Sequence, residues 1–218
     1  MSVTITVDGS IAILDLGDGE NRFSPTFLDD IDGAIDRALA DGAQALVTSA
    51  GAKFYSNGLD LDWLGSHSDQ GPWYIARVHG LLSRILTLEV PTAAAVVGHA
   101  FGAGAMLALA HDFRVMRADR GFFCLPEVDI RIPFHPGMAA LIQAKLTPAA
   151  AVASMTTGRR FGGADAHAYG IVDATAAEGE VVSATVELLR PLVGKDRGTL
   201  GAIKNTMFGS VADALGQV

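Results

Sequence analysis

The run from Val90 to Ala110, Val-Pro-Thr-Ala-Ala-Ala-Val-Val-Gly-His-Ala-Phe-Gly-Ala-Gly-Ala-Met-Leu-Ala-Leu-Ala, limits what this chain can fold into more than any other feature. It carries no Asp, Glu, Lys or Arg, so it belongs in an interior. Pro91, Gly98, His99, Gly102 and Gly104 interrupt it, and it therefore cannot supply the roughly 20 unbroken apolar residues of a membrane span. What fits is a buried strand, Thr92 to Val97, that passes through glycines into a small-residue helix from Gly102 to about Ala110. A buried strand feeding a buried helix predicts an α/β fold with parallel strands.

The flanking sequence agrees. Val3 to Val7 and Ile11 to Leu16 alternate around Asp8-Gly9-Ser10, a hairpin signal. Ser24-Pro25 reads as an N-cap and a first-turn proline, and Phe27, Leu28, Ile31, Ile35 and Leu39 recur at helical spacing up to Asp41-Gly42. Ala45 to Ser49 is a short apolar strand, completing a crossover. The theme repeats with a helix from about Trp73 to Leu88. Phe113 to Met116 and Gly121 to Cys124 read as short strands, as does Ile171 to Ala174. Beyond Pro136 the pattern is mostly helical.

With 218 residues, half of them apolar, the chain can bury one sizeable core, so a single domain is expected. A net charge of −8, with no basic cluster larger than Arg159–Arg160, argues against a nucleic-acid partner. The opening residues alternate like a strand and lack the layout of an export signal, and Cys124 is the only cysteine. Both point to the cytosol. No ligand spacing suggests a metal.

Two turns carry chemistry. In Lys53-Phe-Tyr-Ser-Asn-Gly-Leu-Asp60, Gly58 permits a backbone turn that leaves the Leu59 N–H free to point into a cavity. At Gly102-Ala103-Gly104 a strand enters a helix, and the Ala103 N–H sits at the positive end of the helix dipole without an intrahelical acceptor. Two such amides aimed at one point form an oxyanion hole, and each is typically worth about 3 to 4 kcal/mol of transition-state stabilisation. Such turns also exist simply for close packing. A dinucleotide fingerprint fails, because Leu107 stands where the third glycine is needed, and no later Gly-Lys-Ser/Thr follows.

The joint arrangement resembles the crotonase family of enoyl-CoA hydratases and isomerases. The likeness rests on Phe54-Tyr-Ser-Asn-Gly-Leu-Asp-Leu61, on Pro91 through Ala105, on His111-Asp-Phe-Arg-Val-Met116, on Pro126-Glu-Val-Asp-Ile130, and on Gly158-Arg-Arg-Phe161 with Ala168-Tyr-Gly-Ile-Val-Asp173. It implies a crotonase-like spiral of repeated ββα units over residues 1–175, a shortened helical part over 176–218, and a trimer or pair of trimers. It also implies an acyl-CoA thioester as substrate, with no cofactor beyond the coenzyme A that the substrate carries. Leu59 and Ala103 fall on the positions whose amides hold the thioester oxygen.

Hydratases of this family use two glutamates, and here the first position is Met106 while only the second, Glu127, is an acid. Met106 lies one helical turn beyond Ala103 and should reach the cavity, where a thioether cannot activate water and an apolar wall raises a neighbouring carboxylate's pKa. Members with one glutamate resemble this chain and are Δ3,Δ2-enoyl-CoA isomerases. Isomerisation in fatty-acid breakdown is thus the expectation. Other thioester chemistry, namely hydration by Glu127 alone, hydrolysis or decarboxylation, is the enzymatic alternative, and a non-catalytic acyl-CoA-binding scaffold is the alternative of another class.

Several residues have plainer readings. A glutamate after proline is commonly a surface acid, Asp60 and Asp129 suit structural roles, and His99 and His111 read as core or cap residues. His135, after the Glu127 segment read as extended, is a candidate for the pocket wall. Gly58 and Gly102 shape the substrate site, Trp63 with Trp73 and Tyr74 is a candidate acyl-tunnel wall, and Lys53 and Lys204 are candidates for the coenzyme phosphates.

Overall fold

The computed structural model describes residues 3–51 and 53–217. In chain order the elements are β1 (Thr4–Asp8), β2 (Ile11–Asp15), α1 (Pro25–Ala40), β3 (Ala45–Ser49), β4 (Phe54–Ser56), α2 (Leu61–Ser66), α3 (Gly71–Leu86), β5 (Thr92–Val96) and β6 (His99–Phe101). They continue with α4 (Ala103–Ala110), β7 (Phe113–Arg117), β8 (Phe123–Cys124), α5 (Glu127–Ile130), α6 (Pro136–Lys145), α7 (Pro148–Met155), α8 (Gly163–Ala168), β9 (Ala174–Ala176), α9 (Val181–Leu189) and α10 (Arg197–Gly216).

The larger sheet runs β1-β2-β3-β5-β7-β9 and the smaller β4-β6-β8. β1 and β2 form the antiparallel hairpin that Asp8-Gly9 predicts, with Gly9 at φ +61°, and the remaining named pairings are parallel. Odd-numbered strands from β3 enter the large sheet and even-numbered ones the small sheet, with helices between successive pairs. The chain thus climbs in ββα turns. The small sheet is parallel, so its strands all finish at one edge, and the residues after Ser56, Phe101 and Cys124 emerge side by side. This places Gly58-Leu59, Gly102-Ala103 and Pro126-Glu127 at a common edge.

Local chemistry explains the helices. Ser24 accepts from the Phe27 amide at 3.3 Å and Pro25 opens α1, which buries Phe27, Leu28, Ile31, Ala34, Ile35 and Ala38. All residues of α4 are buried, as its uniformly apolar sequence requires. Gly104 permits this position, because a Cβ there would collide with Ser56. α9 covers the outer face of the large sheet over Ile11, Val47, Ala95 and Val115, so its central strands β3, β5 and β7 are buried on both sides.

Two segments depart from the sequence reading. Ile171 to Ala174 does not form a strand; pairing begins at Ala174, because the Ile171 amide instead closes the end of α8 on Ala166 O at 2.8 Å. The Glu127 segment is not extended. The Pro126 carbonyl accepts from Asp129 and Ile130 at 2.9 and 3.0 Å, winding one helical turn that Arg131 ends at φ +60°. Among the described residues no helix is long and apolar enough to cross a membrane.

Candidate active site

Gly58 sits at φ +77°, and a Cβ there would lie 2.7 Å from Phe101 O and 2.8 Å from Ala103 N, so only glycine lets the two turns touch. Its backbone is held from both sides. Phe23 N donates to Gly58 O at 2.8 Å, and Gly58 N donates to Ser56 Oγ at 3.1 Å, while that hydroxyl donates to Asn21 O at 2.7 Å. The next amide, Leu59 N–H, finds no acceptor among the described residues. Gly102 adopts φ +51° and ψ −123°, fixed by its N–H on Cys124 O at 3.0 Å, and α4 starts at the following residue. The Ala103 N–H likewise has no acceptor among the described residues. Both residues line a cavity of about 340 Å³.

Glu127 lines the same cavity. It is 8% exposed, and its Oε1 lies 3.5 Å from the position of a Cβ on Gly102, so the carboxyl stands against the second turn. Its Oε2 is buried without a hydrogen-bond partner. Burial raises its pKa to about 7, a hydrogen bond to its own backbone opposing only in part. Met106, 1% exposed, fills the wall where a second carboxylate would be needed to position water. Ile130, Ile132, Phe134 and Met138 complete an apolar enclosure.

The structure separates other named residues from this cavity. Trp63 packs into the core, its ring stacked on His67 at 4.4 Å and 5.0 Å from Tyr74, because Asp60 caps α2 through the Trp63 amide at 3.1 Å and turns the side chain inward. His135 caps α6 by accepting from Gly137 N at 3.3 Å and packs edge-on against His79 at 4.6 Å, and the cavity lining takes its neighbours Pro133 and Phe134 instead. Lys53 is exposed outside the cavity, its ammonium 5.2 Å from the Phe54 ring. Lys204 is 3% exposed and bound to Asp112 at 2.6 Å and Val90 O at 2.9 Å, so it is internal and spent on structure. Asp129, off the Glu127 face in a helical turn, lies against Gly158, where a Cβ would collide with its carboxylate. His111 is fully buried between Thr48 Oγ1 at 3.0 Å and Leu107 O at 2.8 Å, and burial drives its pKa down to about 3.

One residue escapes a reading by motif. Arg22 stands at the cavity mouth, bonded to Glu20 and Asp62 at 2.6 Å each. Its only sequence signal is Asn21 before it, held at φ +50° with its amide on Tyr55 O at 3.1 Å, a turn that pins Arg22 beside Gly58.

Among the described residues no group of three or more His, Cys, Asp or Glu is placed to hold a metal. Chemically, the cavity offers two free amides for a developing oxyanion, one buried acid with a pKa close to neutrality, and apolar walls.

The profile of the family described as Enoyl-CoA hydratase/isomerase matches residues 6–218. The chain is 37% identical over 206 residues to enoyl-CoA delta isomerase 3 of Arabidopsis thaliana, covering 88% of this chain and 85% of that protein. It is 34% identical over 228 residues to the peroxisomal enoyl-CoA delta isomerase 2 of the same plant, covering 98% and 95%. Its fold matches the crystal structure of an enoyl-CoA hydratase from Mycobacterium marinum with a TM-score of 0.91 at 27% identity, covering 99% of this chain and 95% of that one.

Proposed function

The chain belongs to the enoyl-CoA hydratase/isomerase family, the crotonase superfamily, and from that premise we propose that it moves the double bond of an enoyl-CoA thioester from Δ3 to Δ2, with Glu127 carrying the proton. The Leu59 and Ala103 amides hold the thioester oxygen. Ionised Glu127 takes a proton from C2, the electron pair moves into a dienolate, and the negative charge falls on the held oxygen. Protonated Glu127 then returns that proton to C4, and the double bond re-forms between C2 and C3, in conjugation with the carbonyl. No water enters or leaves the balance.

The observation that carries the reading is that Glu127 is the one buried carboxyl lining the cavity among the described residues, with the buried Met106 in the same lining. Hydration needs a second group to orient water, and the thioether wall offers none. Shifting a proton along one substrate needs a base whose pKa lies near the working pH, so that it accepts and returns the proton with comparable ease. Glu127, raised to about 7, meets that condition. The same reading assigns the chain to fatty-acid breakdown and to a trimeric assembly, the latter to be checked by sedimentation.

The test is conversion of a trans-3-enoyl-CoA, followed by absorbance of the conjugated thioester. Glu127→Gln should lower kcat/KM by about 10²- to 10⁴-fold while thioester binding persists in calorimetry. Crotonyl-CoA hydration should be negligible in both proteins. Turnover that survives Glu127→Gln, or hydration faster than isomerisation, removes the proposal; thioester binding with no turnover in the unaltered protein transfers it to a scaffold.

A further inference from the structure

A second cavity, of about 490 Å³, lies away from Glu127, between the ends of α6 and α10 and the start of β7. Leu192, Leu200, Ile203, Met207 and Phe208 give it an apolar wall, and Ile203 and Met207 are 50% and 63% exposed. Its charged residues are Asp112, Lys145, Lys195, Asp196 and Lys204. Its volume falls within the range of small-molecule sites.

The charges at its floor do not balance. Lys204 is bound to Asp112 at 2.6 Å, and Arg114 to Asp173 at 3.4 Å. Lys145 also lines the cavity, yet among the described residues it meets no carboxylate. Its ammonium donates to the neutral His111 carbonyl at 2.8 Å and lies 5.1 Å from the Phe208 ring. Ionised groups that lose water are ordinarily paired, but Asp112 and Asp173 are already taken by other cations, and Asp196, also on the cavity wall, is engaged as the α10 cap, accepting from Thr199 N at 2.8 Å. Burial, followed by the repulsion of Arg114, lowers the Lys145 pKa to about 8, the cost of an ammonium held without a counter-ion.

We propose that this cavity binds an aliphatic carboxylate, the chain lying along Leu200, Ile203 and Met207 and the carboxylate pairing with Lys145. One anionic head supplies the counter-charge that Lys145 lacks, and an unbranched chain matches the apolar side chains of Leu200, Ile203 and Met207.

Calorimetric titration with decanoate, beside decanol as the uncharged chain of equal length, tests the assignment. Decanoate should bind at least about tenfold more tightly, the worth of one charge-assisted hydrogen bond. Lys145→Met should erase that advantage, and Ile203→Trp, an exposed rim substitution that fills the cavity without touching its floor, should weaken both ligands while isomerisation persists. Equal affinity for decanoate and decanol overturns the proposal. So does decanoate binding that survives both substitutions, which would place the ligand elsewhere, and so does self-association through this face, seen as a sedimentation coefficient that falls on Met207→Glu while decanoate fails to bind.

Discussion

The base of the large sheet and the edge of the small sheet both bury ionisable groups, and, Lys145 apart, they treat them in opposite ways. At the base Arg114 is spent on Ile171 O, His111 O and Asp173, and Lys204 on Val90 O and Asp112, while Asp112 also accepts from the Thr92 amide at 2.8 Å. At the edge Glu127 keeps Oε2 buried and, among the described residues, unpartnered, beside two amides without acceptors there. Paired groups at the base join strands to helices that are distant in sequence. Unpaired groups at the edge are held ready for something that is not part of the protein. The cost of leaving them so, about 1 to 3 kcal/mol for each buried group, is carried by packing elsewhere.

If this contrast is right, substitutions in the two regions should fail in different measurements. The largest effect belongs to the base. Asp112→Asn strands the buried Lys204 ammonium and should lower unfolding stability by about 3 to 5 kcal/mol, read by urea denaturation, with kcat/KM of the folded fraction unchanged. A kcat/KM that falls while stability holds would mean that the base is part of the site. Gly58→Ala inverts the outcome. A methyl 2.8 Å from Ala103 N, on a residue at φ +77°, must push the two turns apart, so the expected loss is about 10²- to 10³-fold in kcat, as for removal of one oxyanion donor. Its stability should fall by only about 1 to 2 kcal/mol. An active Gly58→Ala protein would show that the contact between the turns does not matter for turnover.

The same contrast explains what could be read before any coordinates. The Val90–Ala110 run announced its own burial, since an uncharged, glycine-broken stretch has few other places to go, and β5, the Gly102 turn and α4 follow it closely. Ser24-Pro25 and Asp8-Gly9 act through bonds within a few residues and were equally legible. Side-chain direction was not. Lys204 and Lys53 are the same residue type, yet one is internal because Asp112, distant in sequence, waits for it, and the other is exposed. The extended reading of the Glu127 segment fails because Val128 and Ile130 are exposed at 49% and 47% and backbone bonds to Pro126 set a helical turn. Arg22 offered no motif at all; its position depends on Asn21 gripping β4.

The smallest effect is the most direct probe of the unpaired acid. Glu127 has a folded pKa of about 7 against an ordinary 4.5, raised by burial, so the folded state holds a proton that the unfolded chain releases. Stability from this group is therefore complete below about pH 4.5 and is lost as the pH rises through about 7. At 1.36 kcal/mol per unit, the loss amounts to at most about 3 kcal/mol. A carboxylate engaged in an ion pair would have a lowered pKa and would gain its stability below about pH 4.5, leaving the interval from about 4.5 to 7 flat. Glu127→Gln carries no titrating proton, so the stability difference between mutant and unaltered protein, measured by denaturant titration across about pH 4 to 8, should widen in favour of the mutant. A flat difference would mean that Glu127 is solvated or paired. The same titration governs catalysis with opposite sense: kcat/KM should climb as the pH passes about 7, because only the ionised form can take the C2 proton, so the protein is most active where this group stabilises it least.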